Sequence, residues 1–376
     1  MRVTVIDLWG REAMLHYVSQ LANNLAGSTG VEVTVLLPNG SDTSLFESTL
    51  RVDFLDVVMD ASIGQLLSVP YKLAKLPWFF QTIHRTRPDI LHLNNCHVWY
   101  IFTLPWLKRQ YPIISTLHDV EPHPGLDDTW RKRKEIDTIA RYSDRIFVHG
   151  EALKQKLHAK YPFLGPHQTN VIPHGDYSFF TEFPTNVTEE ENVALFFGRI
   201  RAYKGLEYFI EAAAIVTQQM PNAWFVIAGE GDLQTYQKLI GDRSNFEIIN
   251  RYTPDHQVAA LFKRASIVVL PYTQASQSGV IPVAYAFEKP VVTTQVGCLS
   301  DMVEDGRTGL IVPPRDSPAL AEAMLRLFRD ENLRKTLGRN AYQKMKNELG
   351  WDKIASLTLS IYETALKEFS AAKEWK

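Results

Sequence analysis

Arg199 and Lys204 stand five residues apart in the segment FFGRIRAYKGLEYFIEA, behind an apolar run that ends at Gly198 and ahead of a helical pattern that opens at Gly205. A planar guanidinium and a compact ammonium beside a helix start suit a diphosphate, since the unpaired N–H groups and the dipole add positive charge there. A solvated surface loop is the other reading, and the pair alone does not separate the two. A second polar loop, Thr273 to Ser278, lies between the apolar run at 267–270 and an apolar segment that opens at Gly279 and Val280. Gln274, Ser276, Gln277 and Ser278 can donate hydrogen bonds there, and Gly279 lets backbone approach an anion closely. In VIAGEGDL (226–233) Gly229 begins a Gly-x-Gly after a strand, which reads equally as a tight turn or as a contact to phosphate or sugar.

Histidines mark the first half of the chain. STLHDVEPHPG (115–125) carries His118, Asp119, Glu121 and His123 just after a strand. His118 can bind a substrate hydroxyl or titrate near neutrality. No thiol and no HExxH helix accompanies this group, so no metal is expected. VIPHGDYSFF (171–180) places His174 after the last strand of that half, as a rigid turn or a substrate contact, and HLNNCHVWY (92–100) carries the same ambiguity. The turn-rich stretch 304–316 reads as structural, with Gly306 and Gly309 able to supply positive φ.

Short β-branched runs alternate with helical patterns around these residues. Strands are expected at 3–6, 31–37, 51–54, 90–93, 113–116, 145–148 and 170–172, with a helix at 12–25 whose Ala13, Leu15, Val18, Leu21 and Leu25 share one face. The rhythm pauses at SFFTEFPTNVTEEEN (178–192), read as a linker. It restarts with strands at 193–197, 223–228, 246–249, 267–270, 291–294 and 310–312, and helices between them. This is the βαβ order of two consecutive doubly wound parallel sheets. Two such sheets leave a cleft, and ligands of open α/β sheets bind beyond the carboxyl ends of the strands.

A length of 376 residues favours two domains, and the formal charge of -2 gives no reason to expect a nucleic-acid partner. Cys96 and Cys298 are far apart and without CxxC, so they are expected as free thiols of a reducing compartment. The opening MRVTVIDLWG enters a strand directly, without the apolar core of a signal peptide, and no apolar run approaches the ~18 residues of a membrane span. Residues 68–85 mix Lys72, Lys75 and Arg85 with Leu76, Trp78, Phe79 and Phe80. A helix packed on its own sheet is the preferred reading, and an interfacial amphipathic helix the alternative.

The segments GRI..YKGLEYFIEA, VIAGEGDL, VVLPYTQASQSGVIPVAYAFEKPVVTT and EDGRTGLIVPPRD stand in an order and spacing that resembles the retaining GT-B glycosyltransferases of family 4, the glycosyltransferase group 1 type, in their bacterial polysaccharide-biosynthesis branch. TLHD, VIPHG and the early LWGREAMLHYVSQLANNL agree, and the similarity spans essentially the whole chain. It implies a GT-B fold. An acceptor-binding Rossmann-like domain spans 1–180, a nucleotide-sugar-binding domain spans 181–355, and a last helix, 356–376, crosses back to the first domain.

The resemblance further implies a metal-independent hexosyltransferase without cofactor. UDP-glucose is the first choice of donor, with GDP-mannose open. The acceptor is a saccharide or lipid-linked saccharide of envelope glycan synthesis, and the location cytoplasmic at the inner membrane face. It assigns the donor diphosphate to Arg199 and Lys204, with Gly198 and Gly229 beside it. Backbone N–H groups near Gln277, Ser278, Gly279 and Val280 hold phosphate, Gly10 forms a loop facing the donor, and His118 acts near the donor sugar. Asp119, His123, His174, Gln274 and Ser276 are sugar or acceptor candidates. The chain departs from the family where two glutamates are usual, having Ala275 and Val283 instead. A non-catalytic nucleotide-sugar binder and a nucleotide-sugar epimerase are the alternatives.

Overall fold

The computed structural model describes residues 1–10, 12–56, 69–95, 97–121, 130–275 and 278–374. It divides into one unit of Met1–His174 with Trp351–Lys376 and a second of Gly175–Gly350.

The first unit runs β1 (Arg2–Asp7), α1 (Glu12–Ala26), β2 (Glu32–Pro38), β3 (Arg51–Leu55), α2 (Val69–Thr86), β4 (Ile90–Asn94), α3 (Val98–Leu107), β5 (Ile113–Thr116), α4 (Trp130–Tyr142), β6 (Arg145–Val148), α5 (Glu151–Lys160) and β7 (Thr169–Val171). The second runs β8 (Val193–Phe197), α6 (Leu206–Gln219), β9 (Trp224–Ala228), α7 (Gln234–Ile240), β10 (Phe246–Ile249), α8 (Asp255–Arg264), β11 (Ile267–Leu270), α9 (Val280–Ala286), β12 (Val291–Thr294), α10 (Leu299–Met302), β13 (Gly309–Val312), α11 (Ser317–Arg329) and α12 (Glu331–Glu348), with short 3-10 turns at Ser178–Glu182 and Ala202–Lys204. A final helix, α13 (Trp351–Glu374), belongs to the first unit.

Both sheets are parallel, in the orders β3-β2-β1-β4-β5-β6-β7 and β10-β9-β8-β11-β12-β13. Helices cover both faces, so β4, β6 and β11 are buried along their whole length, and β11 reads as an unbroken apolar run. Strand order reverses between β1 and β4 in one sheet and between β8 and β11 in the other. The loops after these four strands are therefore the places where each sheet can admit a ligand.

The expected α/β architecture is the one observed, but the borders shift. The first crossing is at His174–Gly175 rather than after residue 180, because Tyr177 and Phe180 are buried in the second core. The return is at Gly350–Trp351 rather than after residue 355, because Trp351, Ile354 and Ala355 are buried in the first core. The stretch 178–192 is no free linker. Phe179 and Phe183 pack against the second core, and Glu189 pairs with the buried Lys289 and, at 3.6 Å, with the buried Arg334. Gly306 has the expected positive φ, +69°, but Gly309 does not need one. Gly309 is required for space, since a Cβ there would stand 2.2 Å from the Val291 carbonyl oxygen.

In α2, Phe79 is fully buried and Lys75 pairs with Asp56 at 2.6 Å, which supports the packed reading of this helix. Among the described residues no helix is long and apolar enough to cross a membrane. Cys298 is buried, and Cys96 lies outside the described residues.

Helix α13 closes the first core through His92 on β4. His92 Nδ1 meets the Tyr362 hydroxyl, and Nε2 lies 2.8 Å from Thr116 Oγ1. Burial pushes the His92 pKa down to about 3. The folded unit holds the imidazole neutral, whereas the unfolded chain protonates it below about 6.5. Its stabilising effect is thus complete above that pH and is lost as pH falls toward 3.

Two outcomes are expected. Acid titration of unfolding, followed by circular dichroism, loses up to about 1.4 kcal/mol per pH unit below 6.5 for this one proton. The His92→Asn variant is less stable at pH 7 but titrates less steeply. Glu189→Ala strands Lys289 and Arg334 as buried cations and costs about 3 kcal/mol, the low end for a broken buried pair because Glu189 itself is partly exposed. Urea unfolding of that variant measures the loss.

Candidate functional site

In the second unit the switch-point loops are pressed together through glycine. Gly205, at φ +66°, would put a Cβ 2.0 Å from the Pro271 carbonyl oxygen, and Gly229 would put one 2.1 Å from the Gly198 carbonyl oxygen. Only hydrogen fits at either place. The Thr273 N–H donates to the Tyr203 carbonyl at 2.8 Å, tying the loop after β11 to the turn after β8.

This contact brings the candidate anion-binding groups together. A Cβ on Gly198 would stand 3.3 Å from Lys204 Nζ and 4.0 Å from Val280 Cγ2, so Gly198, Lys204 and the start of α9 share one spot. Lys204 Nζ donates to the Tyr272 hydroxyl at 2.6 Å and lies 4.3 Å from that ring's centroid. Tyr272 is almost fully buried, so it orients the ammonium without neutralising it. Arg199 is exposed on the same loop. Among the described residues neither cation has a carboxylate within ion-pair distance.

The start of α9 differs from the expectation of open N–H groups in one respect. The Val280 N–H donates to the Ser278 hydroxyl at 3.3 Å, and Ser278 is buried, so that hydroxyl caps the helix. Gly279 has φ -66°, an ordinary helical value. Gln274 is exposed on the loop, while Ser276 and Gln277 lie outside the described residues. Val283 is in the apolar core and Ala275 packs against it, so neither family glutamate position presents a polar group.

In the first unit Gly10 has φ +55°, and a Cβ there would stand 2.1 Å from Ser41 Oγ. The buried Asp7 carboxylate holds this turn by accepting from the N–H groups of Trp9 (3.1 Å) and Gly10 (3.3 Å). Burial raises the Asp7 pKa to about 6, opposed by those N–H groups and by the Asn95 and Asn94 side chains.

Further along the same sheet, β5, β6 and β7 are neighbours, and His118, His149 and His174 follow their carboxyl ends. All three are buried. Ring centroids are 4.8 Å apart for His118 and His149, 4.9 Å for His149 and His174, and 6.0 Å for His118 and His174, and Tyr17 on α1 meets all three edge-on. Burial, aided by the mutual repulsion of the imidazoles, holds His118 and His174 well below the usual histidine range. Burial lowers His149 to about 4, against the raising effect of the Ile172 carbonyl and the Asp119 charge. The His118 ring turns inward to Asn94 and His149, Asp119 is half-buried, and His123 lies outside the described residues.

Asp7, His149 and Tyr272 were absent from the sequence expectations, and Asn94 entered them only as part of the 92–100 segment. Each ends or directly follows a strand, within two residues. Weighing every polar residue at a strand's carboxyl end would have found them.

Comparison with known proteins bears on the family and the fold. Residues 179–344 match the family described as glycosyl transferases group 1, and residues 15–175 match glycosyltransferase family 4. An alpha-D-kanosaminyltransferase of Streptomyces kanamyceticus is 35% identical over 41% of this chain, a match that spans only 40% of that protein's length. An uncharacterised glycosyltransferase of Methanocaldococcus jannaschii is 30% identical over 74% of this chain and 76% of its own. The structure of Anabaena HepE in complex with UDP-glucose superposes with a TM-score of 0.74 at 19% identity, covering 97% of this chain and 99% of that one. With both sheets, their switch points and the two matched segments in agreement, the chain belongs to the glycosyltransferases of group 1 and family 4, with a GT-B fold.

Proposed function

We propose that the protein transfers a hexose from a nucleoside diphosphate sugar, UDP-glucose foremost, to a hydroxyl of a saccharide or lipid-linked saccharide, with retention of configuration. The observation that carries this reading is the convergence of Lys204, Gly198 and the start of α9 beside an exposed Arg199, with no carboxylate paired to either cation among the described residues. Two unneutralised cations at a switch point call for an anion. The UDP-glucose complex of a protein with this fold makes a sugar diphosphate the natural one.

In this reading the diphosphate rests on Arg199 and Lys204. As the bond from the anomeric carbon to the phosphate oxygen breaks, negative charge collects on the leaving diphosphate, where the two cations stabilise it. The leaving phosphate takes the acceptor's proton on the same face, so no enzyme nucleophile is required, in keeping with apolar side chains at positions 275 and 283. The cations also do what a divalent ion would do at the diphosphate. Gln274, exposed on the loop, supplies the neutral sugar contact in place of a glutamate. The acceptor belongs to the first unit, with Asp119 at its strand ends.

The burial of Val283 favours a second reading, a protein that binds the nucleotide sugar without transfer, because a core valine offers the ribose no hydrogen bond. A donor panel separates the two. Purified protein is incubated with UDP-glucose, UDP-galactose, UDP-GlcNAc or GDP-mannose, with glycan acceptors, and released nucleoside diphosphate is quantified. Release from one donor is expected, falling about 10²–10³-fold in Arg199→Ala, and added Mg²⁺ does not raise it. Undiminished turnover in Arg199→Ala overturns the assignment of the diphosphate. Calorimetric UDP binding with no release from any donor and acceptor supports the second reading.

A further inference from the structure

Each of His118, His149 and His174 offers one ring nitrogen to a common point, these atoms lying within 4.8 Å of one another. Their other contacts constrain the protons. His149 Nδ1 is 2.9 Å from the Ile172 carbonyl oxygen, which only accepts, so Nδ1 carries the hydrogen and Nε2 a lone pair. His118 Nε2 is 2.8 Å from Asn94 Oδ1, also an acceptor, so Nε2 carries that hydrogen and Nδ1 a lone pair. The two inner nitrogens, His149 Nε2 and His118 Nδ1, are 3.0 Å apart. Two lone pairs at that separation repel unless positive charge lies between them.

We propose that His118, His149 and His174 bind one divalent transition-metal ion of the zinc class. Neutral imidazoles are the form such an ion binds, and three of them leave a fourth position open for water or an oxygen ligand. Ligating histidines usually donate their second N–H to a carbonyl or amide oxygen, as His149 does to Ile172 and His118 to Asn94. At a metal–nitrogen distance of about 2.0–2.1 Å, tetrahedral ligand nitrogens are roughly 3.3 Å apart, so the 3.0 Å pair opens by a few tenths of an ångström and a pair at the 4.8 Å limit closes by roughly 1.5 Å, as side-chain rotation on binding allows. The third ligand comes from the loop after β7, so an ion here joins the carboxyl ends of three adjacent strands. The inference stands apart from the nucleotide-sugar reading, whose cations belong to the second unit, and departs from the metal-free state that the family resemblance implies.

The competing arrangement has the Asn94 amide turned by half a rotation. Its Nδ2–H then donates to His118 Nε2, and His118 Nδ1–H donates to His149, giving a neutral hydrogen-bonded row with no ion. Untagged full-length protein is loaded with Zn²⁺, desalted and assayed by mass spectrometry for metal, and a parallel sample is loaded with Co²⁺ and scanned in the visible range. About one equivalent of zinc and an intense tetrahedral-type cobalt band are expected, both lost in His149→Gln and in His174→Gln. Far-ultraviolet circular dichroism checks that the variants fold. Wild-type protein that retains neither metal, or that retains both equally after either substitution, overturns the proposal. Because the wild-type spectrum decides the first point, a variant that fails to fold does not protect it. Arg199→Ala should leave the cobalt band unchanged, which keeps this test separate from that of the transfer reaction.

Discussion

No carbon atom fits between Gly205 and the Pro271 carbonyl, or between Gly229 and the Gly198 carbonyl, and what the second unit can offer a ligand depends on that lack of space. Parallel strands deliver their loops to one edge of a sheet, but nothing in a sheet forces those loops to touch. Here backbone meets backbone, so the Lys204 turn, the buried ring of Tyr272 and the first residues of α9 have fixed mutual positions. A close-packed interior transmits any added methyl to its neighbours. The absence of side chains at these two positions is thus what allows the Lys204 ammonium to be held in place.

The two units treat polar groups in opposite ways. The second keeps its cations at the rim without carboxylate partners and fills the family's acidic positions with Ala275 and Val283, so its local charge stays positive. The first withdraws its titratable groups from water. Asp7 and the row of imidazoles are buried, and each is shifted toward its neutral form chiefly by loss of solvent. Exposed cations and buried neutral groups are the contrasting outcomes of keeping and of losing solvent.

Much of the fold was legible because a strand buried on both faces reads as a continuous apolar run, as at β11. Arg199 and Lys204 were legible because two cations ahead of a helix start are a local pattern. What escaped was set by contacts between distant segments. Tyr272 reaches Lys204 across 68 residues, and His149 reaches His118 across 31. The domain borders slipped for a similar reason. The proline, threonine and glutamates of 178–192 have linker composition, yet Phe179, Phe180, Phe183 and Glu189 are tied into the second unit, and the phenylalanines were the signal to weigh more heavily.

Helix α13 gives the chain a particular order of assembly. Trp351, Tyr362 and Ala365 fill the core laid down by β1, α1 and β2, and His92 waits for a hydroxyl 270 residues downstream. During synthesis the second unit has every strand of its sheet before the first unit has its last helix. The amino-terminal half therefore emerges earlier yet completes its core later, with part of that core uncovered in the interval. Such distant closure slows folding and favours chaperone engagement of the nascent amino-terminal half.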